Sequence, residues 1–219
     1  MLQTAERLYA EHGIQDISLR EISRAASQRN LSAAQYHFKN RKRLVAAIFE
    51  RRMTIVDAKR LECLRTLERN GQLRDLRSLI WAFVTPLVEF SRSPASEGYY
   101  VRFLAAALMM RDEDFSEFAT NAPNLGFQWI YSMLAECLAW LPEPIFRQRY
   151  MILFSQTIQG LAEIENLIGR RKRQGRSFDP VRAVENLIDM LTGAVSAQVS
   201  PATMQTLEAS GKKRRQRRE

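Results

Sequence analysis

ISLREISRAASQRNLSAAQYHFKNRKRLVAAI, residues 17–48, carries the densest set of local folding signals in the chain. Ser18 followed three residues later by Glu21 is a capping box: the Ser18 hydroxyl accepts from the Glu21 amide, and the Glu21 carboxylate reaches back to the Ser18 amide. Ile17 and Ile22 occupy the two positions of a hydrophobic staple, which sets the angle of entry into the helix. The apolar period breaks after Ala26 at Ser27-Gln28-Arg29-Asn30, so this helix is short. A second short segment follows, capped by Asn30 or Ser32 and ending on Tyr36, His37 and Phe38. Asn40 then caps a third helix that carries Leu44, Ile48 and Phe49. Two short helices joined by a small polar turn, with bonding side chains on the second, form a helix-turn-helix. Gln28, Arg29, Asn30, Ser32, Gln35 and His37 are of the types that address base edges or phosphates. Lys39, Arg41, Lys42 and Arg43 stand just beyond, where the next helix begins.

Outward from this stretch, helix signals dominate and alternating strand patterns do not occur. Residues 2–12 form a first helix with Ala5, Leu8 and Tyr9 on one face, closed by Gly13 as a left-handed cap. The three-helix unit has an expected core of Leu8, Tyr9, Ile14, Leu19, Ile22, Ala26, Leu31, Ala34 and Phe38. A long helix then runs from residue 40 to about 69, stopped by Asn70-Gly71, with Leu44, Ala47, Ile48, Ile55, Ala58, Leu61, Leu64 and Leu67 at helical spacing. Its Arg51, Arg52, Lys59, Arg60 and Arg65 read as a solvated surface. Residues 79–90, 98–110 and 125–141 are apolar nearly all round, the mark of buried helices or of helices lining a cavity; Pro86 is expected to kink the first. Residues 112–120 read as a short acidic helix. Beyond Pro142-Glu143-Pro144 come a helix over 145–168, a basic solvated loop over 170–176, and a helix from Asp179-Pro180 to about 197, with Asp179 as cap and Pro180 at its first position.

The chain has 33 Lys+Arg against 24 Asp+Glu, a net charge of +9, which fits either plain solubility or a polyanionic partner. More than half of that excess sits in the last eight residues, Lys212-Lys213-Arg214-Arg215-Gln216-Arg217-Arg218-Glu219. The two cysteines, Cys63 and Cys137, have no partner at metal-ligand spacing and read as reduced thiols. The longest apolar run, 103–110, is far short of the ~20 residues that span a bilayer, and the N-terminus lacks the charged leader and apolar block of a signal peptide.

The segments AERLYAEHGIQDISLREIS and QYHFKNRKRLVAAIFE together resemble the N-terminal domain of the tetracycline-repressor (TetR) family of bacterial transcription regulators. The marks are Leu8-Tyr9, Gly13, Ser18-Leu19-Arg20-Glu21-Ile22, Tyr36-His37-Phe38, Arg41 where the family usually has Lys, and Leu44, within the first fifty residues or so. The turn is one residue longer than the family's common form, Gln35 stands where Tyr is common, and the chain starts directly on the first helix without the basic arm of many relatives.

The expected architecture is all-α: a helix-turn-helix domain over 1–45, a helical effector-binding and dimerisation domain over 46–198, and a basic, disordered tail over 199–219. The resemblance implies a homodimer on a palindromic operator in double-stranded DNA, usually as a repressor, with a small-molecule pocket in the second domain and a four-helix bundle between subunits. The DNA-facing set is then Ser18, Arg20, Gln28, Arg29, Asn30, Ser32, Ala33, Gln35, Tyr36, His37, Lys39 and Arg41. The pocket is expected from Phe83, Leu87, Phe90, Arg102, Phe103, Met109, Met110, Phe127, Trp129 and Met133, for a small apolar effector, with Arg102 paired to Glu97, to Glu89 or to an anionic ligand. The subunit interface is expected from Ile158, Leu161, Ile164, Val184, Leu187, Ile188, Leu191 and Val195, although an intramolecular core explains such stripes as well. Metal, cofactor and membrane association are not expected, and the location is cytoplasmic. Catalysis has no support: the only histidines, His12 and His37, lie in the first module, and no nucleophile–base order or glycine-rich phosphate loop occurs. The rival reading is a helical interaction or ligand-binding protein without sequence-specific DNA binding.

Overall fold

The local signals place the helices. In the computed structural model, which describes residues 1–26, 40–94, 96–110 and 124–216 (the last seven as backbone), α1 spans Leu2–His12 and α2 spans Leu19–Ala25. The capping box is made: the Glu21 amide donates to Ser18 Oγ at 3.3 Å and the Ser18 amide to Glu21 Oε2 at 2.8 Å. Gly13 ends α1 with its amide on the Tyr9 carbonyl, but at φ 86° and ψ 156°. The φ is positive as expected; the ψ is extended, so the chain leaves α1 at once rather than coiling over its end. Only glycine adopts that combination cheaply.

α3 (Arg41–Arg69) is capped by Asn40, whose Oδ1 accepts from the Arg43 amide at 2.9 Å. Its 29 residues make a rod of ~43 Å. Then follow α4 (Leu76–Arg92), capped by Asp75 and continuous through Pro86, α5 (Tyr100–Leu108), α6 (Leu125–Cys137), α7 (Glu143–Arg173), α8 (Pro180–Ser196), capped by Asp179, and α9 (Pro201–Gln216). Among the described residues there are nine helices and no strand, an all-α protein. None of those helices is long and apolar enough to cross a membrane.

One apolar core runs the length of the molecule. At one end Ala5, Tyr9, Ile14 and Ile22 meet Leu44, Val45 and Ile48 of α3; farther along, where Leu64 and Leu67 are buried, α3 packs on α4 and α6. The buried stripe of α3 differs from the expected one. Ile55 is 40% exposed and Ala58 lies outward, while Met53, Val56, Arg60, Leu64 and Leu67 face in. Of the cations read as solvated, Arg52 and Arg60 are buried.

Two further expectations fail. The basic run Arg170-Arg171-Lys172-Arg173 is the last turn of α7 and not a loop. Arginine and lysine are good helix formers, and cations at a helix C-terminus complement its dipole. Residues 201–216 are helical and not a disordered tail: Ser200 Oγ accepts from the Thr203 amide at 3.2 Å, and Val199 and Leu207 pack against the core. The acidic segment 112–120 lies outside the described residues.

Candidate DNA-facing module and effector domain

Of the residues expected to face DNA, Gln28, Arg29, Asn30, Ser32, Ala33, Gln35, Tyr36, His37 and Lys39 lie outside the described residues. Ser18 is exposed, with its hydroxyl engaged at the head of α2, and Arg20 is exposed on the first turn of the same helix. Arg41 is turned inward. Its guanidinium donates to Gln15 Oε1 at 3.1 Å, to the Gln15 carbonyl at 3.2 Å and to the Ile17 carbonyl at 3.3 Å. It ties the α1–α2 connection to the start of α3.

The module is fastened to the rest by a buried ion pair. Arg52 Nε of α3 donates to Glu6 Oε2 of α1 at 2.7 Å, the two side chains being 5% and 2% exposed. Burial pushes the Glu6 carboxyl up, against the downward pull of Arg52. Arg52 also lies over the Phe90 ring, 5.5 Å from its centroid. Beside this pair Tyr9 of α1 stacks on Phe103 of α5 (centroids 6.4 Å apart), and Phe103 stacks in turn on Tyr100 (6.1 Å). Helix α5 therefore touches the N-terminal module directly.

A second buried pair sits deeper. Asp57 and Arg60, three apart on α3, meet at 3.0 Å. Asp57 also accepts from the amides of Gly126 (3.0 Å) and Phe127 (3.1 Å). An α3 carboxylate thus supplies the cap bond that the N-cap residue of α6, Asn124, does not make. The approach is close: a Cβ on Gly126 would meet Asp57 Oδ1 at 3.0 Å and its carbonyl oxygen at 3.2 Å. The Arg60 guanidinium lies between Phe83 and Phe127, 5.8 and 5.6 Å from the ring centroids. Burial pushes its pKa down and Asp57 pulls it back. Nothing in the apolar reading of this domain pointed to these charges. The available signal was Arg60 standing in phase with Met53, Val56, Leu64 and Leu67.

The ten expected pocket residues do not share one chamber. Phe83, Leu87, Phe90 and Phe103 are core, in contact with other side chains. Met110, Phe127, Trp129 and Met133 are half-buried, and Met109 is 72% exposed. Of the ten, only Arg102 lines the cavity of about 740 Å³ between α4, α5, α7 and α8. Its carboxylate neighbour is Glu165 of α7, with Nε and Oε2 3.8 Å apart, in place of the expected Glu89 or Glu97. Glu89 pairs instead with Lys59 at 2.9 Å.

The eight expected interface residues also fall inside one subunit. Ile158, Leu161, Val184, Leu187, Ile188, Leu191 and Val195 are all buried within the single chain, and Ile164 is partly so. Where α7 crosses α8, a Cβ on Gly160 would meet Leu187 Cδ1 at 2.8 Å, so the small residues of α7 serve the intrachain contact. The stripes were legible, but helical periodicity alone does not say whether the covering surface belongs to the same chain. The exposed apolar side chains of these helices are Met151, Ile152, Ile168, Val181 and Met190.

Among the described residues, no group of three His, Cys, Asp or Glu is placed to hold a metal ion. Residues 81–194, just over half of the chain, match the family profile described as the tetracyclin repressor-like C-terminal domain. No curated protein matches the sequence.

Proposed function

The chain belongs to the tetracycline repressor-like family, and from that premise we propose that it is a DNA-binding transcriptional regulator acting as a homodimer in the cytoplasm, most simply a repressor released from a palindromic operator by a small molecule. The observation that carries this reading is the continuity of α3: its first turns belong to the core of the N-terminal module and its later turns to the core of the second domain. A shift in the second domain is therefore felt at the module. The capped α2 and the inward Arg41 support the same reading, because both hold the entry to residues 27–39 in a fixed attitude.

In this mechanism the segment 28–37 enters the major groove, and two copies read half-sites about one helical turn, ~34–36 Å, apart. The second copy docks on the outward faces of α7 and α8, where Ile152 and Met190 are exposed and Gly193 and Ala194 permit a close helix approach. Effector and operator then oppose each other through a coupling free energy of ~1–3 kcal/mol. The role is binding, not catalysis.

The test is a gel shift with DNA from upstream of the protein's own gene, run across a salt series, with footprinting of the retained complex. Sequence-specific retention at about physiological salt and a protected palindrome are expected. Retention that loses all sequence preference, or a monomer bound to DNA, would overturn the reading in favour of a helical interaction protein.

A further inference from the structure

The cavity of about 740 Å³ between α4, α5, α7 and α8 is ringed by four arginines, Arg92, Arg102, Arg170 and Arg173, against two glutamates, Glu163 and Glu165. Arg170 is closely paired with Glu163. Arg92 and Arg173 have no carboxylate partner among the described residues. Arg102 stands in a helix that is otherwise apolar, with its side chain 32% exposed. It is held ready: its guanidinium lies 5.0 Å from the Tyr99 ring centroid and donates once, to the Gly98 carbonyl at 3.3 Å. A guanidinium has five donors, so most of its bonding capacity is unspent among the described residues.

Glu165 neutralises it only in part. Its Oε2 is 3.8 Å from Arg102 Nε, too far for a hydrogen bond, and this buried oxygen has no other partner among the described residues. Burial pushes the Glu165 carboxyl up to about 7, with Ser91 and Arg102 pulling the other way, so near neutrality it carries only part of its charge. Gathering like charges around one cleft is unfavourable until an anion enters. The floor is of opposite character: Val88, Leu161, Ile164 and Val184 line the same cavity.

We propose that this cleft binds a small amphiphilic anion, its carboxylate or phosphate head on Arg102 and the neighbouring arginines and its apolar body along Val88, Leu161, Ile164 and Val184. The volume suits a single small ligand. Arginine is the residue type that meets either head group through paired N–H donors. The effector is then an amphiphile with a charged head, which takes up the anionic-ligand alternative for Arg102 within the small apolar effector expected from the sequence. Its regulatory consequence rests on the function proposed above, since α5 carries Arg102 towards the cleft and Phe103 against Tyr9 of α1. The binding itself does not.

The experiment is titration calorimetry on the full-length protein, without DNA, using octyl phosphate, octanoate, octanol and inorganic phosphate as probes. Octyl phosphate or octanoate is expected to bind at one site per chain, at least tenfold tighter than octanol and than inorganic phosphate. Arg102→Gln is expected to remove most of that preference, and Arg173→Gln, at an exposed position that leaves the fold intact, to weaken it several-fold. Equal affinity for octanol and octyl phosphate would overturn the proposal, as would phosphate binding as tightly alone, no binding of any probe, or binding untouched by both substitutions. Adding octyl phosphate to the gel shift tests the regulatory consequence separately. Binding without DNA release retains the site and rejects its coupling, whereas release without binding at the cleft rejects the site.

Discussion

Asp57→Ala is the substitution whose effect is best fixed by the geometry. The wild-type carboxylate takes three hydrogen bonds, from Arg60 and from the amides of Gly126 and Phe127, at 3.0, 3.0 and 3.1 Å. Both charged side chains are nearly sealed from solvent, 2% exposed for Arg60 and 6% for Asp57. Removing the carboxylate leaves a buried guanidinium with two aromatic faces beside it and no counter-charge. Loss of one partner of a buried pair costs ~3–5 kcal/mol, and the α6 amides lose their acceptor as well, at ~1–3 kcal/mol for a buried unsatisfied group. These losses overlap, so we expect ~4 kcal/mol or somewhat more, a large share of the ~5–15 kcal/mol that holds a typical domain. Urea unfolding followed by circular dichroism at one fixed protein concentration measures it, since dimerisation would make stability concentration-dependent. The double substitution Asp57→Asn with Arg60→Met removes both charges and keeps an acceptor for α6; it should be clearly more stable than Asp57→Ala. If Asp57→Ala unfolds within ~1 kcal/mol of wild type, the assignment of this pair as the internal brace of the second domain is wrong.

Glu165 gives a pH signature of opposite sign to a salt-bridged carboxylate. Its pKa in the folded protein, about 7, lies above the 4.5 of an unperturbed glutamate, so the folded state holds the extra proton between those values. Stability should fall as pH rises from about 4.5 to about 7, by at most ~3 kcal/mol, and Glu165→Gln should flatten that part of a melting-temperature profile; a parallel profile for the variant would remove the assignment. Ser18→Ala deletes the hydroxyl cap of α2 and should cost ~1 kcal/mol, read as a lower urea midpoint; no change would mean that the cap contributes nothing net. In the N-terminal module, Arg29→Ala and Gln35→Ala should weaken the preferred DNA site by ~1–3 kcal/mol more than random DNA, measured by competition gel shift, with equal loss on both sequences reducing these residues to phosphate contacts.

Local chemistry was what the sequence carried best. The boundaries of α1, α2, α3 and α8 follow from caps that each need a single side chain: Ser18, Asn40 and Asp179, and the positive φ at Gly13. The same logic was present for α9 and was outweighed by composition. Ser200-Pro201 is a cap followed by proline at the first helical position, but the charged, polar run after it suggested disorder. What the sequence could not carry were pairings between distant elements. Glu6 and Arg52 are 46 residues apart, and Asp57 meets Gly126 across 69. Neither is visible to a periodicity argument, which sorted Arg52 and Arg60 by residue type and placed them in solvent. The candidate pocket failed in the same way. Aromatic and methionine residues at helical spacing identify a buried face, but only the packed structure tells a filled face from one that opens on a cavity; of the ten, Arg102 alone lines the cavity between α4, α5, α7 and α8.

The buried charges also bear on how a signal would cross the molecule. Among the contacts that hold α1, two are of unlike kind, the Glu6–Arg52 pair from α3 and the Tyr9–Phe103 stack from α5. If α5 moves on ligand binding while α3 stays, the stack must change and the ion pair resists. An aromatic stack contributes ~0.5–1.5 kcal/mol beyond its buried area, whereas disrupting a buried pair costs several times more. Of these two contacts the stack is the softer and the ion pair the stiffer. In the proposed mechanism a coupling of ~1–3 kcal/mol is within reach of repacking the first and too small to break the second. The module should then tilt with α3 as its pivot and keep its own internal fold. Arg52 over Phe90 ties that pivot to α4 as well, so the last turn of α4, which also bears Arg92, is joined to the same brace.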